Sequence, residues 1–386
     1  MKRLKKYLFI LLLFIMPNID AQLNEFMVQS YYLGKDGAQW FNTNNPQDYF
    51  TNLANNKVNS INFDFWSFMS SKSILSYYNM AKVAGLNTIV SELWSRHDGY
   101  NPNNPIGILG VLSDTNKYNI KGYCITDEPF NNNDYNDVSY IPPFSELIKN
   151  FDSSLLRYAN LYLYQTNDIY YSEDYIQNYI NLTKSNLLSF DCYPTSSDSI
   201  DTFFKTLYTF GLKSTSNSIP FIYVLTPINL IKDYYSNPPN DNLKNATSLS
   251  KIRYCIYSAL TYGAKGISYW PGFDWGNVNN WSFNFTYNGT DREKLVSLHQ
   301  NLISHSAELL SLNFASVYHV DNTTTIGGVT DEEIHDFCTW QYFPSDRYAN
   351  AIFWNTTTPV CDVYNHCLPS ELVISFMTDK NGKIYY

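Results

Sequence analysis

Short apolar runs, rich in β-branched and aromatic residues, alternate along the chain with stretches whose apolar residues recur at helical spacing. Eight runs read as strands: 25–33, 58–66, 87–93, 120–126, 159–165, 187–193, 220–226 and 265–270. Helical periodicity covers 73–84, which stops at Gly85, and then 144–151, 171–184, 200–212 and 249–262. A further helix over 292–312 follows the last run. Strands that alternate with helices pair in parallel through right-handed crossovers. Eight such units over roughly 290 residues predict an α/β fold of the (β/α)8 TIM-barrel type. The alternative is an open doubly wound sheet, but no Gly-x-Gly-x-x-Gly follows the first strand.

From residue 313 onward the rhythm changes. Residues 315–320, 338–343, 349–354 and 371–377 alternate like strands without a helix between them, and Asn381-Gly382 is a hairpin turn signal. The expected organisation is a leader over 1–21, a barrel over 22–313 and a small C-terminal antiparallel β module over 314–386.

The leader reads as a secretory signal peptide. Lys2, Arg3, Lys5 and Lys6 precede an unbroken apolar run over 7–16, Pro17 breaks it, and Ala21 offers a small residue for cleavage. Ten apolar residues are too few to cross a bilayer, which takes about 20. No later stretch reaches 18, so no membrane association is expected after cleavage. The expected location is extracellular or in the endomembrane lumen. Seven Asn-x-Ser/Thr sequons fit a glycoprotein of that compartment: Asn181, Asn245, Asn280, Asn284, Asn288, Asn322 and Asn355. Cys361 and Cys367 share a polar stretch and are the expected disulfide, with Cys338 as the competing partner. Cys124, Cys192 and Cys255 sit in apolar patterns and read as buried thiols.

Composition narrows the function. The chain has 386 residues, of which 44% are hydrophobic and 16% charged, which excludes a disordered tail protein. A formal charge of -9 argues against nucleic acid as a partner. Aromatic residues make up 17% of the chain. The 45 asparagines carry little functional weight by themselves. No spacing of Cys and His suggests a metal, no motif suggests a cofactor, and a monomer is expected.

Catalytic groups of a barrel come from the C-terminal ends of its strands. The second run ends with Asp64 and Trp66, the third with Glu92 and Trp94, and the fourth with Asp127-Glu128-Pro129. The fifth ends at Tyr164-Gln165, the sixth at Asp191-Cys192-Tyr193, and the eighth at Trp270, with Trp275 just beyond. This ring of carboxylates and aromatics suits an oligosaccharide or polysaccharide, whose ring faces stack on aromatics and whose hydroxyls bond carboxylates. Cleaving a glycosidic bond takes two carboxyl groups across it. No Gly-x-Ser-x-Gly elbow, His-x-x-x-His pair or phosphate loop offers a rival chemistry.

The run Lys121-Gly122-Tyr123-Cys124-Ile125-Thr126-Asp127-Glu128-Pro129 resembles the fourth strand of the large clan of (β/α)8 glycoside hydrolases, which ends Asn-Glu-Pro. Residues 254–270 and 188–194 resemble the last helix and strand, and the sixth strand, of glycosidases in that clan, relatives of barrel β-galactosidases. The resemblance spans roughly residues 25–312, and its order and spacing carry it. It implies a glycoside hydrolase with Glu128 as acid/base and Asp127 in the place of the Asn that binds the sugar 2-hydroxyl. That clan carries its nucleophilic Glu at the end of the seventh strand, where Leu225-Thr226-Pro227 stands here. Asp191 is then the first candidate for the second carboxylate, followed by Glu92, Asp64 and Asp274. A strand-six Asp-x-Tyr also resembles chitinase-like barrels, in which the substrate's acetamido group attacks, although their Asp-x-x-Asp-x-Asp-x-Glu spacing is absent. The competing expectation is a secreted carbohydrate-binding or matrix protein on a catalytically inactive barrel.

Overall fold

Eight parallel strands close into a barrel in strict sequence order, β1 pairing with both β2 and β8. The computed structural model describes residues 23–31, 46–63, 71–91, 118–129, 141–162, 173–194, 200–226, 249–270, 289–320 and 372–385. The barrel strands are β1 (Met27–Tyr31), β2 (Ser60–Phe63), β3 (Asn87–Ser91) and β4 (Ile120–Asp127), then β5 (Leu156–Tyr162), β6 (Leu188–Asp191), β7 (Phe221–Leu225) and β8 (Gly266–Tyr269). The helices are α1 (Pro46–Asn55), α2 (Ser71–Val83), α3 (Ile141–Phe151), α4 (Glu173–Thr183), α5 (Ile200–Asn217), α6 (Leu249–Thr261), α7 (Gly289–Ser304) and α8 (Ser306–Ser311). This is a TIM barrel, as the alternating pattern predicts.

Three differences from the pattern are informative. α1 has no counterpart in the periodicity reading, because Pro46 at its first position and only Tyr49, Phe50 and Leu53 on its buried face make a weak signal. β5 begins three residues before the expected 159, since Leu156 and Arg157 are buried strand residues despite the charge. The helix expected over 292–312 is two helices, α7 and α8, parted at His305.

Side chains alternate across the strands except where the register of β4 shifts against its neighbours. Val28, Ile61, Phe63, Val90, Tyr123, Ile125, Leu161 and Phe190 face the helices in the large outer core. Met27, Tyr31, Ile89, Cys124, Leu156, Tyr158, Leu187 and Ile222 fill the barrel itself. α3 shows how a helix meets this layer: Ile141, Phe144, Ser145 and Ile148 recur at helical spacing and are buried, while Pro142 and Pro143 sit in the first turn, where no N–H is missed.

Five of the helix-to-strand turns share one device. Lys57, Gly85, Lys184, Ser218 and Gly263 each follow a helix with φ between +52° and +89° and launch the next strand. After α2, Gly85 N–H donates to Lys82 O and Leu86 N–H to Ala81 O; after α6, Gly263 N–H donates to Leu260 O and Ala264 N–H to Ala259 O. The left-handed residue turns the chain while satisfying the last helical carbonyls. Asparagines work at the same end of the barrel. Asn59, Asn119 and Asn186 precede β2, β4 and β6, and each donates from Nδ2 to a carbonyl at the base of the preceding strand: Phe26 O, Leu86 O and Leu155 O, at 2.9, 2.9 and 3.0 Å.

Beyond the barrel, β9 (Asn313–Val320), β10 (Leu372–Thr378) and β11 (Ile384–Tyr385) form an antiparallel sheet in the order β11-β10-β9. It is fastened to the barrel through Phe314, whose ring stacks on Tyr262 at 5.4 Å and meets Tyr208 edge-on at 6.0 Å. Lys265, buried at the start of β8, donates its ammonium to Leu309 O and Leu312 O at the end of α8, and burial lowers its pKa to about 8. The expected strands over 338–343 and 349–354, Cys338, Cys361 and Cys367, and the leader all lie outside the described residues. Cys124, Cys192 and Cys255 are buried reduced thiols.

Candidate active site

The C-terminal ends of β4, β5 and β6 bring the carboxylates of Asp127 and Asp191 onto one amide, with Glu128 beside them. Asn160 of β5 is buried, and its Nδ2 lies 2.9 Å from Asp127 Oδ1 and 3.1 Å from Asp191 Oδ1. Those two oxygens therefore stand no more than 6.0 Å apart. Asn160 Oδ1 accepts from Ser189 Oγ at 2.8 Å, and its backbone carbonyl accepts from Glu128 N–H at 2.8 Å. The amide orientation follows from these partners. Flipped, its oxygen would face two carboxylates and its NH2 a hydroxyl.

A β-bulge makes this arrangement possible. Cys124 is in register with Tyr158, but the next register pair is Asp127 with Asn160, so β4 spends three residues where β5 spends two. Cys124 points into the barrel and Ile125 out of it. Plain alternation would turn residue 127 outward; the extra residue reverses the phase and brings Asp127 level with the inward Asn160. The next residue, Glu128, has φ +43°, a left-handed conformation that costs a non-glycine residue about 1–2 kcal/mol. The following Pro129 is buried. Strain of this kind concentrates where a side chain must be held in one direction.

The electrostatics follow from enclosure. Asp191 is almost completely buried, and its pKa is raised well above the carboxylate range, first by burial, then by Glu128 and then by Asp127. The Tyr193 hydroxyl donates to Asp191 and offsets part of that rise. Burial and then the Asp191 charge push the Tyr193 phenol up in turn, so it stays a donor. The charges of Glu128 and Asp127 act on Asp191, so a proton retained there depends on the ionisation of its neighbours. On the other side of Tyr193, its ring stacks on Trp270 at 5.7 Å and 20°, and the Trp270 backbone N–H donates to Leu225 O at 2.9 Å. A carboxylate cluster and an aromatic platform thus share one tyrosine.

Five residues singled out in the sequence therefore come together: Asp127, Glu128, Asp191, Tyr193 and Trp270. Asp64, Trp66, Glu92, Trp94, Tyr164, Trp275 and also Asp274 lie outside the described residues. Of the seven sequons only Asn181 is described; it is exposed on α4, where its Oδ1 accepts from Gln177. Asn245, Asn280, Asn284, Asn288, Asn322 and Asn355 lie outside. Asn160 was missed by the sequence reading. Its one signal was a polar residue inside an apolar strand, in phase with the inward face.

Beneath the cluster the barrel interior is polar too. Ser268 Oγ donates to Gln29 Oε1 at 2.7 Å, and Gln29 Nε2 donates to Tyr158 OH at 3.4 Å. Asn62, fully buried on β2, has no hydrogen-bond partner for either amide atom among the described residues.

No protein-family model matches the chain, and no curated protein matches it. Among solved structures it is similar to the endo-1,4-β-mannanase of Rhizomucor miehei, at 11% identity over 74% of this chain and 97% of that one, with a TM-score of 0.47. It is also similar to the GH99 endo-α-mannosidase of Bacteroides thetaiotaomicron, at 12% identity over 72% and 99%, TM-score 0.47. A third neighbour is the N-acetylneuraminic acid synthetase of Leptospira borgpetersenii, at 13% identity over 73% and 85%, TM-score 0.43. Likeness at this level concerns the barrel, which hosts unrelated chemistries. The chemistry of this site rests on its own side chains.

Proposed function

We propose that the protein is a secreted glycoside hydrolase that cleaves O-glycosidic bonds of an oligosaccharide or polysaccharide by carboxylate acid/base chemistry. The observation that carries this reading is the convergence of Asp127, Glu128 and Asp191 at the C-terminal mouth of the barrel, beside the stacked Tyr193–Trp270 pair. Glu128 directly follows the last residue of β4 and is only half-buried, and it would protonate the leaving oxygen. Burial of Asp191 beside Glu128 and Asp127 favours retention of a proton there above the ordinary carboxylate range, and acid/base chemistry near neutral pH needs a proton kept within the site. Asp191 would serve as base, as nucleophile or as the group that orients a substrate acetamido. Asp127 would bind a hydroxyl and tune its neighbours by like charge. Tyr193 and Trp270 would carry the ring face of a sugar. Secretion and glycosylation rest on the leader and the sequons alone.

The experiment compares purified wild type with Glu128→Gln on a panel of polysaccharides and oligosaccharides, reading released sugars by mass spectrometry. Products from wild type that fall by about 10²- to 10⁴-fold in the variant would support a hydrolase with Glu128 as acid. The second reading, a carbohydrate-binding protein on an inactive barrel, is favoured by the end of β7, where Val224-Leu225-Thr226 offers no carboxylate. Binding without products from either protein would support it. Equal turnover by both proteins would remove Glu128 from the acid's role.

A further inference from the structure

We propose that Asn160 is the positioning residue of this site: its buried side chain sets the mutual placement and the ionisation of Asp127 and Asp191, and its backbone carbonyl anchors Glu128. The inference rests on the hydrolase reading for its consequence in turnover, and on the geometry alone for its electrostatic part.

The argument begins with topology. β5 lies between β4 and β6 in the barrel, so an inward residue of β5 is next to both neighbours' strand ends at once. Register places Asn160 level with Asp127 on one side and Ser189 on the other, two residues short of Asp191. Asparagine has two N–H donors on one nitrogen, and here each has its own carboxylate. Its oxygen is fixed by Ser189, so the amide plane cannot swing toward one carboxylate at the other's expense. Its backbone carbonyl holds the Glu128 N–H, in the residue whose left-handed φ decides where the Glu128 side chain leaves the strand. Each of the three carboxylate residues is thus tied to Asn160 by one hydrogen bond, Asp127 and Asp191 through its side chain and Glu128 through its backbone carbonyl.

The electrostatic consequence is a division of labour. Burial, and then the charges of Glu128 and Asp127, drive Asp191 toward the protonated form. The two N–H groups of Asn160 oppose this by stabilising ionised Asp127 and Asp191. Removing the donors therefore raises the titration of the pair, and it loosens two side chains that catalysis needs in fixed positions.

The test uses the mature full-length chain labelled with ¹³C at the Asp side-chain carboxyl, as wild type, Asn160→Ala and Asn160→Ser. Carboxyl titrations are read by NMR and turnover as a function of pH. The expected result is that the Asp127 and Asp191 titrations move to higher pH in Asn160→Ala and less far in Asn160→Ser, which keeps one donor. Turnover should fall by about 10²-fold with KM nearly unchanged, and the acid limb of the pH–rate profile should move the same way as the titrations. Carboxyl titrations that coincide with wild type in either folded variant would overturn the proposal. If Asn160→Ala does not fold, Asn160→Ser decides it. If wild type releases no sugar from any substrate, the hydrolase reading fails, and the carboxyl titrations still decide the role of Asn160.

Discussion

Asp127 reaches Asn160 because β4 carries one residue more than β5 between their last two register pairs, and the resulting hydrogen bond is 2.9 Å long. The bulge converts an outward position into an inward one. It also ends the strand in such a way that Glu128 adopts φ +43° while its N–H stays bonded to the same Asn160. One local irregularity therefore aims two carboxylates, and the regular strands β5 and β6 supply the frame against which they are aimed.

Asp191 should be a stability cost at neutral pH. Its folded pKa is raised above the unfolded value near 3.9 by burial and by Glu128 and Asp127. Such a group stabilises the fold fully only below the unfolded value, and the contribution is lost as pH rises through the folded one. Asp191→Asn is expected to raise Tm at pH 7 and to raise it less at pH 4. A Tm that falls at pH 7 would show that the carboxylate is better paired than its surroundings indicate.

The aromatic pair should act on binding more than on the chemical step. Trp270→Ala removes the platform on which Tyr193 stacks. The expected result is an increase in KM, or in the dissociation constant of an oligosaccharide, by about two- to tenfold, which corresponds to the roughly 0.5–1.5 kcal/mol typical of such stacking. Trp270→Phe should recover most of it. Equal binding by Trp270→Ala and wild type would place the sugar elsewhere.

His299 predicts acid sensitivity. It is fully buried on α7, its Nδ1 and Nε2 lie 2.9 Å from Asn56 O and 2.6 Å from Tyr269 OH, and burial lowers its pKa to about 4. Bonded this way the ring is neutral, donating from Nδ1 and accepting at Nε2. A depressed histidine contributes stability above its unfolded value near 6.5, and that contribution disappears as pH falls toward 4. Tm measured from pH 7 to pH 4 should fall through that window, and His299→Gln, less stable at pH 7, should show a shallower fall. Parallel profiles for the two proteins would assign the acid sensitivity to the carboxylates instead.

Gly122 marks a close approach of β4 and β5 inside the barrel. A Cβ there would lie 2.7 Å from Leu156 O and 2.9 Å from Leu156 Cα, so two backbones would have to separate. Gly122→Ala is expected to cost about 1–3 kcal/mol, read as a lower denaturant midpoint. An unchanged midpoint would show that the strands give way without cost.

Asn62 offers the opposite outcome. Its two amide atoms are buried with no partner among the described residues. Such atoms cost about 1–3 kcal/mol, while a nearly isosteric apolar group carries no such penalty. Asn62→Leu should therefore raise Tm. A lower Tm would mean that bound water satisfies the amide.

Much of the fold was legible because burial imposes a period on the sequence. The barrel strands are buried on both faces and read as short continuous apolar runs, and Gly85 and Gly263 mark two helix ends because a positive φ there favours glycine. What was harder to read had weak or contradictory local signals. Arg157 is a buried strand residue whose Nη1 is bonded to the carbonyls of Ser153 and Leu155, so its charge hid the start of β5. Lys57, Lys184 and Ser218 stand in left-handed turns that a glycine would announce and they do not. The excess of asparagine acquired meaning only at Asn59, Asn119 and Asn186, where side-chain amides clasp neighbouring strands separated by about thirty positions in the chain.

The sequence by itself determined the order of the barrel and which residues end its strands, because alternation of apolar runs with helical periods admits few packings and strand ends follow from the runs. It put Asp127, Glu128, Asp191, Tyr193 and Trp270 at one end of the molecule. Only the tertiary structure decided that these residues meet, and through which atom. The bulge after Cys124 reverses the facing of Asp127 without leaving a trace in composition, and Asn160 becomes the hub because closing the barrel sets β5 between β4 and β6. The shift at Asp191 has the same origin: it arises from burial and from two carboxylates more than sixty positions away in the chain, and proximity of that kind exists only after folding.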